Sequence, residues 1–528
     1  MNSEAESFSL MENAERLSCA LKGRRIPFMR AAIAHGSHCP WFGVVMAAPF
    51  VAGVATLVVG TAECCWHSKN QYYGNGGAGH FYTYVLDDSE VVFGAAEGVA
   101  AALEAIWEEC HPQAIQLVTA CVPELIGDSA EESACRANVP VPVLTVRTAH
   151  YNSSGYYSGL TRYYSSFVAL MEKDKAACAS ATDAVDGAGA ANLADAADTP
   201  AAAGAVCASD ATDANAAIDA ARGEATGAVQ GEVSGISCDV VLLGARYAGY
   251  ERSEIFRLLQ EEGKRPLVPQ SVDDMRRVPD AALVVVLDET ALDAAQQVQQ
   301  RFGTPYVRLD RLCRPWEIRA AYQQIDAVIG SNLVGKTAAQ HHEVVQKMEA
   351  ARRVWAGKGF VCAAPFFLPL NAALFFADMG MVPRVVLMRE FFPGDDDWAH
   401  ELLEKGCDPY IASFASLSEL EKKLFDLDIS LLFAPTYLRN LEQAGIVAVN
   451  PNAMMSCFGY ELPLGILRQM ECAQETGVSH AAQETRGAHA QATLQGAAQA
   501  WVEPQADVSL QADAAVDTAC RAQEEGCR

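Results

Sequence analysis

Three cysteines occupy positions from which their thiols could converge on one metal centre. Cys64 follows the apolar run "VATLVV" (54–59), and Cys121 follows the apolar run "AIQLVTA" (114–120). Cys39 lies in "HGSHCPWFG", which reads as the start of a helix. If both runs are strands of one parallel sheet, Cys64 and Cys121 lie at the same edge of that sheet. Three thiolates at one edge predict a soft-metal or iron–sulfur site.

Other interpretations of these thiols remain open from the sequence. Buried cysteines are common as small core residues that bind nothing. The sequence contains no C-x-x-C pair, so a zinc ribbon is not indicated. A zinc site is a weaker hypothesis, with the candidate ligands His35, His38, Cys39 and either Cys64 or Cys65.

Apolar runs separated by helical patterns predict the sheet that these thiols require. In the first region, a helix is expected over 95–110 and strands over 54–59, 90–94, 114–120 and 141–146. The same alternation recurs in two later regions, which are joined by a helix expected over 337–357. The fold class is therefore α/β, with three doubly wound units built on parallel sheets.

Composition shifts divide the chain into five parts. A segment rich in Ala, Asp, Gly and Thr interrupts the α/β pattern and cannot bury enough apolar surface to order itself. We predict an N-terminal α/β domain (1–170), a disordered insertion (171–236), a second α/β domain (237–335), a connecting helix with a third α/β domain (336–470) and a disordered acidic tail (471–528).

Bulk composition excludes several functional classes. The 528 residues carry a net charge of −27, whereas a nucleic-acid-binding protein needs a basic surface. The N-terminus lacks the pattern of a signal peptide, so the 17 cysteines indicate reduced thiols in the cytoplasm. Residues 42–62 are uncharged, but Pro49, Gly53 and Gly60 favour a helix and a buried strand over a membrane span.

The stretch "GSNLVGKT" (330–337) matches the phosphate-loop pattern G-x-x-x-x-G-K-[ST]. A phosphate loop must follow a strand, whereas the preceding residues have apolar side chains at helical spacing. This spacing favours a helix that ends at Gly330. A P-loop nucleotide hydrolase is therefore the least favoured hypothesis.

Several segments together resemble the nitrogenase component 1 family of oxidoreductases. "CPWFGVVMAAPFVAGVATLVVGTAEC" resembles the family's first cysteine, helix, strand and cysteine loop, although "GTAEC" replaces "HGPxGC". "DDSEVVFGAAEGVAAALEAI", "PQAIQLVTACVPELIGDS" and "NPNAMMSCFGYELPLGIL" are similar to later segments of the family. The resemblance covers about 35–150 and 237–470. It implies Rossmann-like units, as in nitrogenase subunits, cofactor-assembly homologues and dark-operative protochlorophyllide reductase subunits.

The resemblance implies that Cys39, Cys64 and Cys121 bind an iron–sulfur cluster, expected to be 4Fe-4S. The cluster would lie at the interface of a homo- or hetero-oligomer with a homologous component 1-type subunit. An ATP-dependent iron-protein reductase would supply electrons for an unknown substrate. Gly60, four residues before Cys64, matches the family's spacing and leaves Cys65 as a secondary candidate.

Nitrogen-reducing members of the family also bind an active-site cofactor through a Cys and a His. These positions fall on Leu287 or Asp288 and on Phe458, so neither ligand is present. The resemblance therefore does not imply nitrogen fixation, and Cys457 is a secondary candidate ligand for another metallocofactor. The missing ligands also fit the alternative function, a non-catalytic scaffold for metallocofactor assembly.

Overall fold

The computed structural model describes most of the region that the resemblance covers. The described residues are 14–23, 26, 39–74, 77, 79–152, 155–171, 239–244, 250–364, 368–388, 390–392, 394–412, 427–434 and 445–475. Most of the predicted insertion, the predicted tail beyond residue 475, and both His35 and His38 lie outside this part of the chain. The predicted domain boundaries stay predictions.

Strands and helices alternate along the chain, as the apolar pattern predicts. The strands are β1 (Glu15–Arg16), β2 (Val54–Gly60), β3 (Phe81–Val85), β4 (Ala114–Thr119), β5 (Val143–Arg147), β6 (Asp239–Leu243), β7 (Arg265–Leu267), β8 (Leu283–Val286), β9 (Tyr306–Arg308), β10 (Gly359–Cys362), β11 (Val382–Leu387), β12 (Tyr410–Ala412), β13 (Leu431–Phe433) and β14 (Val447–Val449).

The helices that connect and flank these strands cover both faces of the sheets. They are α1 (Leu17–Gly23), α2 (Pro40–Ala47), α3 (Ala62–Gly74), α4 (Asp88–Phe93), α5 (Ala96–Cys110), α6 (Cys121–Ile126), α7 (Ala130–Arg136), α8 (Tyr156–Ser166), α9 (Glu254–Glu261), α10 (Val272–Arg277), α11 (Leu292–Phe302), α12 (Pro315–Ile329), α13 (Leu333–Lys336), α14 (Ala338–Trp355), α15 (Pro369–Asp378), α16 (Asp395–Glu404) and α17 (Glu461–Glu475).

Three sheets organise these elements, and the α/β fold class with parallel sheets is confirmed. The first sheet has the order β3-β2-β4-β5 and the second β7-β6-β8-β9, with all neighbouring strands parallel. The third has the order β1-β12-β11-β10-β13-β14, in which only β1 pairs antiparallel. Each order contains a switch point, between β2 and β4, β6 and β8, or β10 and β13, where ligands of such sheets usually bind.

Strand β2 shows why the central strands read as continuous apolar runs. Its Ala55, Leu57 and Val59 pack into a core on one face of the first sheet. Val58 points to the opposite face, where it packs with helices α2 and α8. Because helices cover both faces of a parallel sheet, both sets of side chains are buried.

One expectation about the first region is wrong. Residues 90–94, predicted as a strand, belong mostly to helix α4, and the strand in this part of the sheet is β3. The Asp87 side chain accepts a hydrogen bond from the Glu90 backbone, and the Glu90 side chain accepts one from the Asp87 backbone. This capping box starts a helix despite the β-branched residues that follow it.

The apolar stretch 42–62 forms short separate elements. Helix α2 ends at Ala47, a 3₁₀ turn covers Ala48–Phe50, and β2 begins at Val54. Throughout the described chain, every helix is too short or too polar to cross a membrane.

A cluster of three cysteines at a sheet edge

Cys64 lies just beyond the carboxyl end of β2, which ends at Gly60. The sequence suggested a loop here, but Cys64 is the third residue of helix α3. A Cβ atom on Gly60 would lie 2.9 Å from the Ala120 Cβ and 3.4 Å from the Cys64 Cβ. The absence of a side chain at Gly60 therefore allows Cys64 to approach the end of β4.

Cys121 is the first residue of helix α6 and follows β4 almost directly. The Ala120 N–H donates a hydrogen bond to the Val59 carbonyl at 2.9 Å, which holds the ends of the two strands together. Because the strand order reverses between β2 and β4, both cysteines lie at the switch point of the first sheet.

Cys39 reaches the same edge through close packing of α2 against α8. A Cβ on Gly43 would lie 2.2 Å from the Tyr156 carbonyl oxygen, and a Cβ on Gly159 would lie 1.8 Å from that of Pro40. The two glycines thus let the helix backbones touch, and Cys39 occupies the N-cap position of α2 without a side-chain capping hydrogen bond. No sequence motif marks this pair of glycines, which belong to two helices far apart in the sequence.

The structure brings Cys39, Cys64 and Cys121 together. The Cys39 thiol hydrogen-bonds to Cys121, and Cys64 lies close enough to both for electrostatic interaction. Burial raises the pKa of Cys39 to about 12, with smaller contributions from Cys121 and Cys64. Burial also raises the pKa of Cys64. All three side chains are half-buried, so they can still meet a ligand or another protein.

Each of the three sulfurs accepts a hydrogen bond from a donor group that lies beside it in the same chain. The Trp41 backbone N–H donates to Cys39, and the Thr61 hydroxyl donates to Cys64. The His150 backbone N–H donates to the Cys121 Sγ at 3.3 Å. Such donors stabilise negative charge on sulfur and tune the potential of a bound cluster.

Glu124, which the sequence analysis did not identify, positions the loop that carries His150. Its carboxylate accepts hydrogen bonds from the backbone N–H groups of Thr148 at 2.6 Å and Ala149 at 2.9 Å. The Thr119 hydroxyl donates to the same oxygen at 3.0 Å. One carboxylate therefore joins the end of β4, helix α6 and the loop beside Cys121.

Cys65 points away from the other three thiols. Its side chain is 2% exposed, and its thiol donates to the carbonyl oxygens of Tyr84 at 3.3 Å and Val58 at 3.8 Å. These contacts place it in the core beside β2 and β3. Cys65 is therefore poorly placed to share a ligand with Cys39 and Cys121.

The donor set fits an iron–sulfur cluster better than a single ion. Within the ranges that the structure describes, no three His, Cys, Asp or Glu side chains form a group that could hold one metal ion. A cluster presents a different iron atom to each thiolate, so its ligands stand further apart than those of one ion. Three half-buried sulfurs at a surface edge also leave a side open for ligands from a partner.

The other candidate residues lie elsewhere. Cys457 packs against the core shared by the second and third sheets. The "GSNLVGKT" stretch follows helix α12, which ends at Ile329 with Gly330 as its C-cap. Its Lys336 pairs with Glu262 at 2.8 Å. A helix in place of the required strand, and a lysine held by a carboxylate, give this stretch none of the geometry of a phosphate loop.

The two positions at which the resemblance predicts active-site ligands lie close together. Asp288 and Phe458 both contact Arg311 in the interior, although they are far apart in sequence. Neither Asp288, which is ion-paired, nor the phenyl ring of Phe458 offers the ligand found in nitrogen-reducing members. The residues present therefore do not fit that cofactor.

Gly60→Val should lower the iron bound after anaerobic reconstitution several-fold, because the new side chain would push Ala120 and Cys64 apart. The matched control is Gly74→Val at the end of helix α3, where a Cβ would meet nothing within 4 Å. Iron per folded chain is the measurement. Equal iron in both variants would show that the close approach at Gly60 does not shape the site.

One family model matches most of the chain, and two solved structures share its fold. The family model described as "Nitrogenase component 1 type Oxidoreductase" matches residues 39–470. A solved structure titled "Nitrogenase Cp1 at pH 6.5" superposes with a TM-score of 0.61 at 13% identity, covering 88% of this chain and 98% of that one. "Nitrogenase Cp1 at pH 5" gives a TM-score of 0.50 at 14% identity over 85% and 90%. No curated protein sequence matches significantly.

Proposed function

The chain belongs to the nitrogenase component 1 type oxidoreductase family, and from this premise we propose that it is an electron-transferring component of a nitrogenase-like system. Cys39, Cys64 and Cys121 hold an iron–sulfur cluster, of the 4Fe-4S type, at an interface with a component 1-type subunit. Electrons come from an ATP-dependent iron-protein reductase and pass to a substrate other than dinitrogen. The protein acts in the cytoplasm.

The observation that carries this proposal is the convergence of three thiols, each with its own hydrogen-bond donor, at one switch point. When bound, the cluster supplies a one-electron redox centre. The Trp41 and His150 N–H groups and the Thr61 hydroxyl stabilise the thiolate charge that cluster binding requires. Gly60 keeps Cys64 close to the end of β4.

An exposed apolar patch beside the thiols supports a subunit interface there. Phe93 is 87% exposed at the end of α4, and Leu125 is 71% exposed one helical turn after Cys121 on α6. Helix α4 packs against α6, and Tyr151, which is also exposed, follows the residue whose N–H contacts Cys121. Grouped apolar side chains of this size usually mark an interaction surface.

Phe93→Glu combined with Leu125→Glu should dissociate the oligomer, because burying two carboxylates in an apolar contact is costly. Sedimentation velocity of the complex purified from its native host measures the change. The control is Val354→Glu, which alters a side chain on α14 that is 46% exposed. An unchanged oligomer in the double variant, with native circular dichroism, would place the interface elsewhere.

The electron-transfer role is tested by mixing the anaerobically purified protein with an iron-protein reductase and MgATP. We expect the visible absorption of the cluster to bleach only when ATP is present. The Cys39→Ala variant should show no such change. A protein whose cluster is not reduced, but which binds a metallocofactor and transfers it to another protein, would instead be an assembly scaffold.

A further inference from the structure

The buried Arg311 lies between Asp288 and Phe458. These are the two positions at which the resemblance predicts active-site ligands. The Arg311 Nη1 atom is 3.3 Å from the Asp288 Oδ2 atom, and both side chains are 2% exposed. The Arg311 guanidinium carbon lies 5.5 Å from the ring centroid of Phe458. The Arg311 Nη2 atom also donates to the Met455 carbonyl at 3.2 Å. Arg311 thus joins the end of β8 to the segment before α17.

Asp288 is held on its other side as well. Its Oδ1 atom accepts hydrogen bonds from the Thr290 N–H at 3.1 Å and the Thr290 hydroxyl at 2.5 Å. Gly244 has a φ of +92° beyond the end of β6, and a Cβ there would lie 2.9 Å from the Asp288 Cβ. The switch point between β6 and β8 is therefore packed with protein atoms at Asp288.

Several buried carboxyl groups of the chain itself lie around this position. The Oδ1 atoms of Asp310 and Asp395 are buried and accept no hydrogen bond from the described residues. Burial, with the Asp288 and Asp310 carboxylates, raises the pKa of Glu289 well above its usual value. Burial also raises the pKa of Asp395 to about 7. The carboxyl groups around Asp288 therefore interact with one another and with the guanidinium groups of Arg308 and Arg311.

We propose that the protein holds no second metallocluster between Asp288 and Phe458. Arg311, which pairs with Asp288 and lies against the Phe458 ring, occupies this position instead. The inference goes beyond the proposed function, because it concerns a separate part of the fold.

Iron analysis tests this inference with two variants of this position, Phe458→Leu and the double variant Asp288→Asn with Arg311→Met. After anaerobic reconstitution with ferrous iron and sulfide, both should bind the same iron per folded chain as the wild type. Cys64→Ala, run in parallel, reports on the thiol site. A loss of iron in the Phe458→Leu or the double variant would place metal at this position and overturn the inference.

Urea unfolding tests, independently of iron binding, whether the Arg311–Asp288 pair occupies this position. Arg311→Met alone leaves the Asp288 carboxylate buried without its cation, so the urea midpoint should fall further than in the double variant. An unchanged midpoint in Arg311→Met would overturn this proposal. This result stands even if the wild type binds no iron, an outcome that would refute only the proposed function.

Discussion

Cys64→Ala loses the bound iron, whereas Cys65→Ala keeps it. This is the expected result for two adjacent thiols in "GTAECCWHSKN", and helix geometry is the reason. Consecutive side chains on a helix are rotated by about 100° about its axis, so Cys64 and Cys65 face different directions. Cys64 faces Cys39 and Cys121, and Cys65 faces the strand backbones.

The two substitutions should also differ in their effect on stability. Cys64 is half-buried, and its removal leaves a gap that solvent can enter. Cys65 is buried, so Cys65→Ala creates a small cavity that should cost about 1 kcal/mol. The pair therefore separates iron binding from folding, because the variant that destabilises the core is the one that retains iron.

Iron per chain, read together with the visible absorption of the cluster, is the measurement for this pair. Circular dichroism confirms that both variants are folded. Equal iron loss in both variants would contradict the assignment, as would loss in Cys65→Ala alone. In the latter case Cys65 would be the ligand, and helix α3 would have to rotate when the cluster binds.

Arg314→Met should have the largest effect on stability. The Arg314 side chain is 5% exposed and contacts Asp378 at 2.9 Å, Glu317 at 2.9 Å and Glu401 at 2.6 Å. This network ties helix α12 to α15 and α16. Its removal leaves the buried Asp378 carboxylate and the partly exposed Glu317 and Glu401 carboxylates without their main cation, which should cost about 3 kcal/mol. Lys405, 3.0 Å from Asp378, compensates only in part because it is itself half-exposed.

The matched control for Arg314→Met is Arg384→Met. Arg384 pairs with Asp428 at 3.3 Å, but the two side chains are 38% and 95% exposed. An exposed pair of this kind contributes less than about 1 kcal/mol. Urea unfolding midpoints should therefore fall clearly for Arg314→Met and hardly for Arg384→Met. Similar midpoints in the two variants would contradict the role assigned to the buried network.

The sequence predicts the sheet elements well where the apolar runs are long. Strands β2 and β4 fall where "VATLVV" and "AIQLVTA" predict them, because strands buried on both faces need such runs. The placement of Cys64 and Cys121 at one sheet edge follows from the same runs. The selection of Cys64 rests on the family's spacing, and the inward position of Cys65 is consistent with it.

The sequence is a poorer guide to local structure and helix packing where tertiary contacts determine them. "EVVFG" has the composition of a strand, yet the Asp87 capping box makes it part of a helix. The close approach of α2 to α8 depends on Gly43 and Gly159, which lie more than a hundred residues apart. The donor to Cys121 is a backbone N–H, at His150, which no side-chain pattern can reveal.

The contacts of Arg311 illustrate another feature that the sequence does not predict. The resemblance to the family predicts that two ligands are missing at Asp288 and Phe458, but it does not predict what replaces them. Arg311 carries no motif, and its role depends on the meeting of β8 with the segment before α17. Such long-range ion pairs become visible only in three dimensions.

The central claim is that Cys39, Cys64 and Cys121 hold an iron–sulfur cluster. Iron and acid-labile sulfide analysis of the anaerobically purified protein tests it most directly, with the three single Cys→Ala variants alongside. We predict iron and sulfide in equal amounts in the wild type, and their loss in each of the three variants. A wild type without iron, or three variants that all retain it, would contradict the account.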